Sequence, residues 1–169
     1  IQGGAKMIMK KYKKMASVLC SLILICCVSL NVNAADFNQT KDIIDGSALV
    51  SSAHSTVTLE NVDRGNILNK GTASIGNNGN GEVNVYGAVF GSVVCDKLIL
   101  KMTLQRYSNG YWQDVKYFSD TKYDSSLLTK SYNVSVTKGY YYRVKAACVA
   151  YKGSTSESKS PVTDGIWID

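Results

Sequence analysis

The sequence predicts an all-β fold, an antiparallel β-sandwich of about seven or eight strands preceded by a cleaved N-terminal signal helix. Three observations carry this. Short alternating apolar/polar runs recur between turn signals, and no long helical periodicity follows residue 36. Proline is nearly absent (Pro161 only), whereas Gly, Asn, Ser and Thr are abundant. Asn109-Gly110, between two alternating runs, is the strongest two-residue hairpin signal a sequence can hold.

The leader comes first. Lys6, Lys10, Lys11, Lys13 and Lys14 form a basic cluster, and no acidic residue precedes Asp36. An apolar run from Met15 to Leu30 follows, then Asn31-Val32-Asn33-Ala34-Ala35. A positive region, an apolar region and small residues at a cleavage site are the layout of a secretory signal peptide. Val32 and Ala34 occupy the −3 and −1 positions, which places the cut after Ala34, with Ala35 as the alternative. An uncleaved anchor would need about 20 apolar residues, and this run is shorter. Cys20, Cys26 and Cys27 lie within it but lack the preceding run that lipidation requires. Ile1 to Lys6 precede the first methionine, Met7, with a second at Met9. Gln2-Gly3-Gly4 can be encoded by a purine-rich stretch containing GGAGG, so these residues read as a translated ribosome-binding site and the source as bacterial. The expected organisation is a leader over 1–34, a flexible lead-in over 35–50 and one domain over 51–169.

Removing the leader changes the electrostatics. The chain has 19 Lys+Arg and 13 Asp+Glu; the five leader lysines leave 14 against 13, about +1. No Lys/Arg run survives, so the electrostatic footprint of nucleic-acid binding, or of an anionic membrane surface, is missing. Two of five cysteines remain, Cys95 and Cys148. An even number in an oxidising compartment favours one disulfide between them, worth about 3–4 kcal/mol in the chain-entropy model. Two buried free thiols are the competing reading.

Within the domain, Ser55 to Glu60 alternates as a strand, and Asn61 to Asn69 reads as loop. Gly71 to Ile75 and Glu82 to Phe90 flank the Gly76–Gly81 stretch of Gly and Asn. That stretch is a hairpin turn: a phosphate loop needs a following helix, and calcium needs more carboxylates than Glu82. Lys97 to Tyr107 places Leu98, Leu100, Met102 and Leu104 on one face, and Tyr111 to Phe118 returns. With Asn-Gly as the turn, Ser108 faces Tyr111 and Gln105 faces Asp114. Leu104 then meets Val115, Met102 meets Tyr117 and Thr103 meets Lys116. Tyr107 sits opposite Trp112 on the wet face, where two aromatics could form a platform for a sugar or a peptide. A longer loop would instead shift the parity and drop Trp112 into the core, where Trp is buried on average.

Ser119 to Ser126 reads as an Asp/Ser/Lys loop and Ser131 to Thr137 as a strand; Lys138-Gly139 is a turn. Tyr140 to Tyr151 is a long strand with Tyr142, Val144, Ala146 and Cys148 inward and Tyr141, Arg143, Lys145 and Ala147 outward. Lys152 to Lys159 reads as loop, and Val162 to Ile168 as the last strand, pinned by Trp167.

Gly139 to Ala146 followed by Tyr151 to Ser158 resembles the F strand and F–G loop of fibronectin type III and immunoglobulin-like domains. The wider pattern resembles a family of small exported proteins of unknown function from Gram-positive bacteria. It comprises Leu104 to Arg106, Asn109 to Val115, Tyr141 to Val144 and Glu157-Ser158. It covers roughly Glu82 to Ile168 and brings no activity or site residues. On such a sandwich Glu82–Phe90 would be strand B, Lys97–Tyr107 C, Tyr111–Phe118 C′, Ser131–Thr137 E, Tyr140–Tyr151 F and Val162–Ile168 G. Cys95 and Cys148 would then meet near the B–C and F–G loops, although fibronectin-like domains usually lack a disulfide.

No catalytic constellation is legible. There is one histidine, His54, with no paired carboxylates in an apolar setting and no metal-ligand cluster. The expected function is a secreted, cofactor-free binding module whose ligand is a cell-surface glycan or a protein, with no nucleic acid and no membrane insertion after cleavage. A bacteriocin-like effector, which would call for a basic amphipathic surface, and a small hydrolase are the alternatives. Nine of the eleven tyrosines fall between Tyr107 and Tyr151, and Tyr107, Tyr111, Trp112 and Tyr141 are the candidate binding residues.

Overall fold

The computed structural model describes residues 48–61 and 67–169. The leader, its cleavage site, both candidate start methionines, Cys20, Cys26, Cys27 and the lead-in up to residue 47 lie outside the described residues, as do residues 62–66 of the expected loop.

Eight strands follow one another: β1 (Leu49–Val50), β2 (His54–Glu60), β3 (Leu68–Gly79), β4 (Glu82–Ser108), β5 (Tyr111–Ser135), β6 (Tyr140–Lys152), β7 (Thr155–Lys159) and β8 (Gly165–Ile168). They form one curled, mixed sheet in the order β1-β8-β6-β4-β3-β2, with β5 added on β4 and β7 on β6. Every pairing of these strands is antiparallel except β1 with β8. Among the described residues the chain is all-β, as its alternation requires.

The turns follow from their residues. Asn80-Gly81 and Asn109-Gly110 both take positive φ (54° and 74°; 56° and 85°). Two successive left-handed residues make the hairpin turn that matches strand twist, which Asn and Gly tolerate best. Ser108 pairs with Tyr111, so the second hairpin closes where the sequence placed it; Glu82 pairs with Gly79, so the first turn is only Asn80-Gly81, and Gly76–Gly79 of the expected turn belong to β3.

β4 and β5 are longer than their sequence suggests. The segments expected as separate strands B and C are one strand of 27 residues, and C′ and E are one strand of 25 residues. The expected loop at 119–126 is therefore strand, and the expected Lys152–Lys159 loop is mostly β7, folded back on β6 around Gly153. Leu49 and Val50, read as the end of the lead-in, form β1. β4 serves two sets of neighbours. Its first part, to Gly91, lies between β3 and the second half of β5; Lys97 to Arg106 lies between β6 and the first half of β5. At the change-over, residues 91–94 of β4 stand against Ser126 alone in β5, a large bulge that bends the strand.

The bend brings the two parts of the sheet over one core. Leu98, Leu100, Met102 and Leu104 from β4, with Tyr142, Val144, Ala146 and Cys148 from β6, are buried against Ala73, Ile75, Val83, Val85 and Val89. The inward faces read from alternation in β4 and β6 are thus the observed ones. The approach of β3 to β6 is close enough to require glycine. A Cβ on Gly71 would lie 2.8 Å from the Cys148 Cβ and 3.2 Å from the Lys159 Cβ, neither of which can swing aside. Glu157 of β7 locks the same region, accepting hydrogen bonds from the Leu68 N–H (2.8 Å) and the Asn61 side chain (3.4 Å).

Gly71→Ala is expected to destabilise the domain by about 1–3 kcal/mol through overpacking. The check is a lower urea midpoint at unchanged slope; an unaltered midpoint would show that β3 and β6 are not in contact there.

Candidate binding surface

The face of β5, β4 and β6 opposite the core carries the candidate residues. Because Leu98 to Leu104 and Tyr142 to Cys148 point inward on alternate positions, Lys97, Ile99, Lys101 and Thr103 of β4 and Arg143, Lys145 and Ala147 of β6 point outward. On the β5 side the register changes once. Gln105 pairs with Asp114, but Leu104 pairs with Lys116, leaving Val115 as the extra residue of a β-bulge. The expected pairs Leu104–Val115, Met102–Tyr117 and Thr103–Lys116 are therefore replaced by Leu104–Lys116, Met102–Phe118 and Thr103–Tyr117. One inserted residue reverses the faces of everything beyond it. Phe118 turns toward the core and stacks on Tyr132 at 4.5 Å, while Tyr117 turns outward and is 69% exposed.

A row of polar side chains crosses this outer face from strand to strand. The Arg143 Nε–H donates to Gln105 Oε1 (2.7 Å), Gln105 Nε2 donates to Asp114 Oδ1 (2.7 Å), and the Tyr117 hydroxyl donates to Asp114 Oδ2 (2.6 Å). The Tyr117 bond, followed by that from Gln105, holds the Asp114 carboxyl below the usual carboxylate range, and the same bond raises the Tyr117 hydroxyl. Each residue sits on a strand rather than a loop, so the row is held by the ladder hydrogen bonds beneath it.

Aromatic residues flank the row. Tyr107 faces Trp112 as the Asn-Gly register requires, with ring centroids 5.2 Å apart and tilted by 59°. Trp112 is neither in the core nor an open platform. The Arg143 guanidinium lies 4.2 Å over its ring, and a Cβ on Gly165 would fall 2.6 Å from the far edge of the indole. The half-buried ring therefore fastens the end of the β4–β5 hairpin to β8, and the preference of Trp for burial is met on the outer face. Tyr141 is also half-buried, packed edge-on against Trp167 at 5.0 Å. Tyr111, at the turn, is 54% exposed. Of the four candidates the structure joins Tyr107 and Trp112, gives Tyr141 a different partner and leaves Tyr111 in solvent. Tyr117 and Tyr123 (66% exposed) are more open than any of the four, and alternation alone did not single them out. The Gln105–Asp114 pairing, by contrast, follows from the Asn-Gly turn.

The expected Cys95–Cys148 bridge is not formed: both are buried free thiols. Register explains it. Cys148 pairs with Leu100, five residues along β4 from Cys95 and thus roughly 16 Å away at strand rise, against a limit of about 7 Å between bridged Cα atoms. Continuity of β4 removes the B–C loop that was to bring Cys95 to the other end of the domain. Burial pushes the Cys148 thiol up to about 12 and also raises that of Cys95. Cys148 donates to the Ala88 carbonyl at 3.5 Å. Among the described residues no group of three or more His, Cys, Asp and Glu could hold a metal ion.

No family model matches the chain, and no curated protein matches it. Among solved structures the chain is similar to Spo0M, a sporulation control protein from Bacillus subtilis, at 11% identity and a TM-score of 0.32 over 70% of this chain. The chain spans about half (51%) of the length of that protein.

Two outcomes are expected. A thiol reagent at pH 8 leaves the folded domain unmodified and titrates both Cys95 and Cys148 after denaturation without reductant; recovery of thiols only after reduction would restore the disulfide. In a carboxyl-carbon NMR titration, Asp114 ionises below the usual range and moves upward in Tyr117→Phe. Stability linked to this depressed carboxyl is present above its unfolded pKa and is lost as pH falls through the folded value. An Asp114 titration indifferent to Tyr117→Phe would refute the coupling.

Proposed function

We propose that the protein is a secreted, non-catalytic binding module that holds a cell-surface glycan on the outer face of β5, β4 and β6. The hydrogen-bonded row Arg143–Gln105–Asp114–Tyr117 carries this reading. A sugar offers hydroxyls at its rim and an apolar C–H face. Fixed donors and acceptors with an exposed ring beside them suit both. Tyr117 supplies the ring, and the row supplies polar groups whose order is set before any ligand arrives.

Export belongs to the same reading. The leader pattern of Lys6 to Ala35 supports an extracellular bacterial location, as does the resemblance to small exported Gram-positive proteins. A protein partner at a disulfide-stapled loop end loses its premise, because the two thiols stand apart. The fold reading is an immunoglobulin-type sandwich. β3, the first half of β4 and the second half of β5 act as strands A, B and E; the first half of β5, the second half of β4, β6 and β8 act as C′, C, F and G. The Tyr142 hydroxyl supports it by donating to the Thr137 carbonyl at 2.8 Å from near the start of the F-like strand, the bond of a tyrosine corner.

Binding of the exported domain to isolated cell wall and to a glycan array tests the function. Wild type is expected to bind, and Tyr117→Ala and Gln105→Ala to weaken binding about tenfold or more, roughly 1.4 kcal/mol, with unchanged circular dichroism. Wild type that retains no glycan overturns the reading.

A further inference from the structure

The near-neutral charge of the exported domain conceals an uneven distribution. Beside the polar row, a shallow groove of about 250 Å³ is lined by Lys101, Thr103, Gln105, Asp114, Lys145 and Ser160, among others. Lys101 pairs with Ala147 and Thr103 with Lys145, so the two lysines are diagonal neighbours on one face of adjacent antiparallel strands. That geometry sets their Cβ atoms about 7–8 Å apart. Both side chains are exposed, and neither is in a close ion pair among the described residues, although Lys145 acts on the Asp114 carboxylate through its charge. The carboxylate in the groove, Asp114, has both oxygens engaged, one by Gln105 and the other by Tyr117. Those two donors are neutral, so Asp114 keeps its charge, and Lys145 and Arg143 help to hold it ionised; the groove still carries two ammonium groups against one carboxylate. Like charges held this close repel, and an anion set between them would remove the repulsion while gaining two charge-assisted hydrogen bonds.

We infer that this groove selects an acidic saccharide, one whose carboxylate lies between Lys101 and Lys145 while its hydroxyls meet Thr103, Gln105 and Ser160. The inference rests on the glycan reading above and specifies its ligand class. The small Ala147 opposite Lys101 leaves the floor between the lysines open, so a pyranose-bound carboxylate can reach both. Because the groove is shallow and solvent-facing, the attraction is screened by salt.

The test compares polygalacturonate, which bears a carboxylate on each sugar, with neutral dextran by calorimetry or surface binding. It uses wild type, the double variant Lys101→Gln/Lys145→Gln, and Tyr117→Ala. Wild type is expected to bind polygalacturonate at least tenfold more tightly than dextran and to lose affinity as salt is raised. The double variant is expected to abolish that preference; since both lysines are exposed, its thermal midpoint should match wild type. Equal binding of the two polymers, or a preference that survives in the double variant, overturns the acidic-ligand inference. If Tyr117→Ala still loses binding in that case, the glycan reading stands. Failure of both polymers and of the array to bind overturns the glycan reading and this inference with it.

Discussion

The bend of β4 at residues 91–94 is the constraint on which the rest of the fold depends. A straight strand of 27 residues would extend roughly 90 Å, too long for a single small core to cover either of its faces. By standing four residues against one of β5, the chain turns there and sends its two halves to different neighbours. Gly91 makes the turn feasible, since a Cβ at that position would lie 2.7 Å from the Val93 carbonyl oxygen and 2.9 Å from the Cys95 sulfur. Everything buried follows from that change of direction: β3 comes over β6, Gly71 meets Cys148, and the inward residues of both halves of β4 share one core.

The bulge at Val115 does for the surface what the bend does for the core. Without it, Tyr117 would face inward opposite Met102 and Phe118 would face solvent. With it, Phe118 closes the core against Tyr132, whose hydroxyl donates to Asp120 at 2.6 Å, and Asp120 in turn pairs with Lys130 at 3.1 Å. Tyr117 is released to the other side, where it reaches Asp114. The same single-residue insertion therefore seals one face and equips the other. It also disturbs a long strand whose outer edge has no partner among the described residues, a disturbance that natural sheets use to discourage edge-to-edge pairing.

How much of this was legible depends on the range of the forces involved. The Asn109-Gly110 turn, the inward sets of β4 and β6 and the Tyr107–Trp112 and Gln105–Asp114 pairs were readable, because turn stereochemistry and pleat alternation act over a few residues. Val115 carries no mark of a bulge, so the pairs beyond it were misassigned. The apparent loop at 119–126 is rich in Asp, Ser and Lys because that part of β5 is largely exposed, and exposure made strand look like loop. The expected disulfide failed for a related reason: an even pair of cysteines behind a leader-like segment suggests a bridge, but only the β4–β6 register shows that they are five residues out of step.

The sequence by itself determined that this is an all-β chain, where its Asn109-Gly110 hairpin turns and which side chains of its two best-patterned strands enter the core, since those are local matters of φ/ψ and period. It also set the modest net charge of residues 35–169, with 14 Lys+Arg against 13 Asp+Glu. Tertiary structure alone decided that four expected strands would be two, that Trp112 would clamp a hairpin rather than fill the core or lie open, and that two lysines would share a groove with a single carboxylate. Those outcomes depend on where a bend and a bulge fall, and on which distant strands are consequently brought side by side.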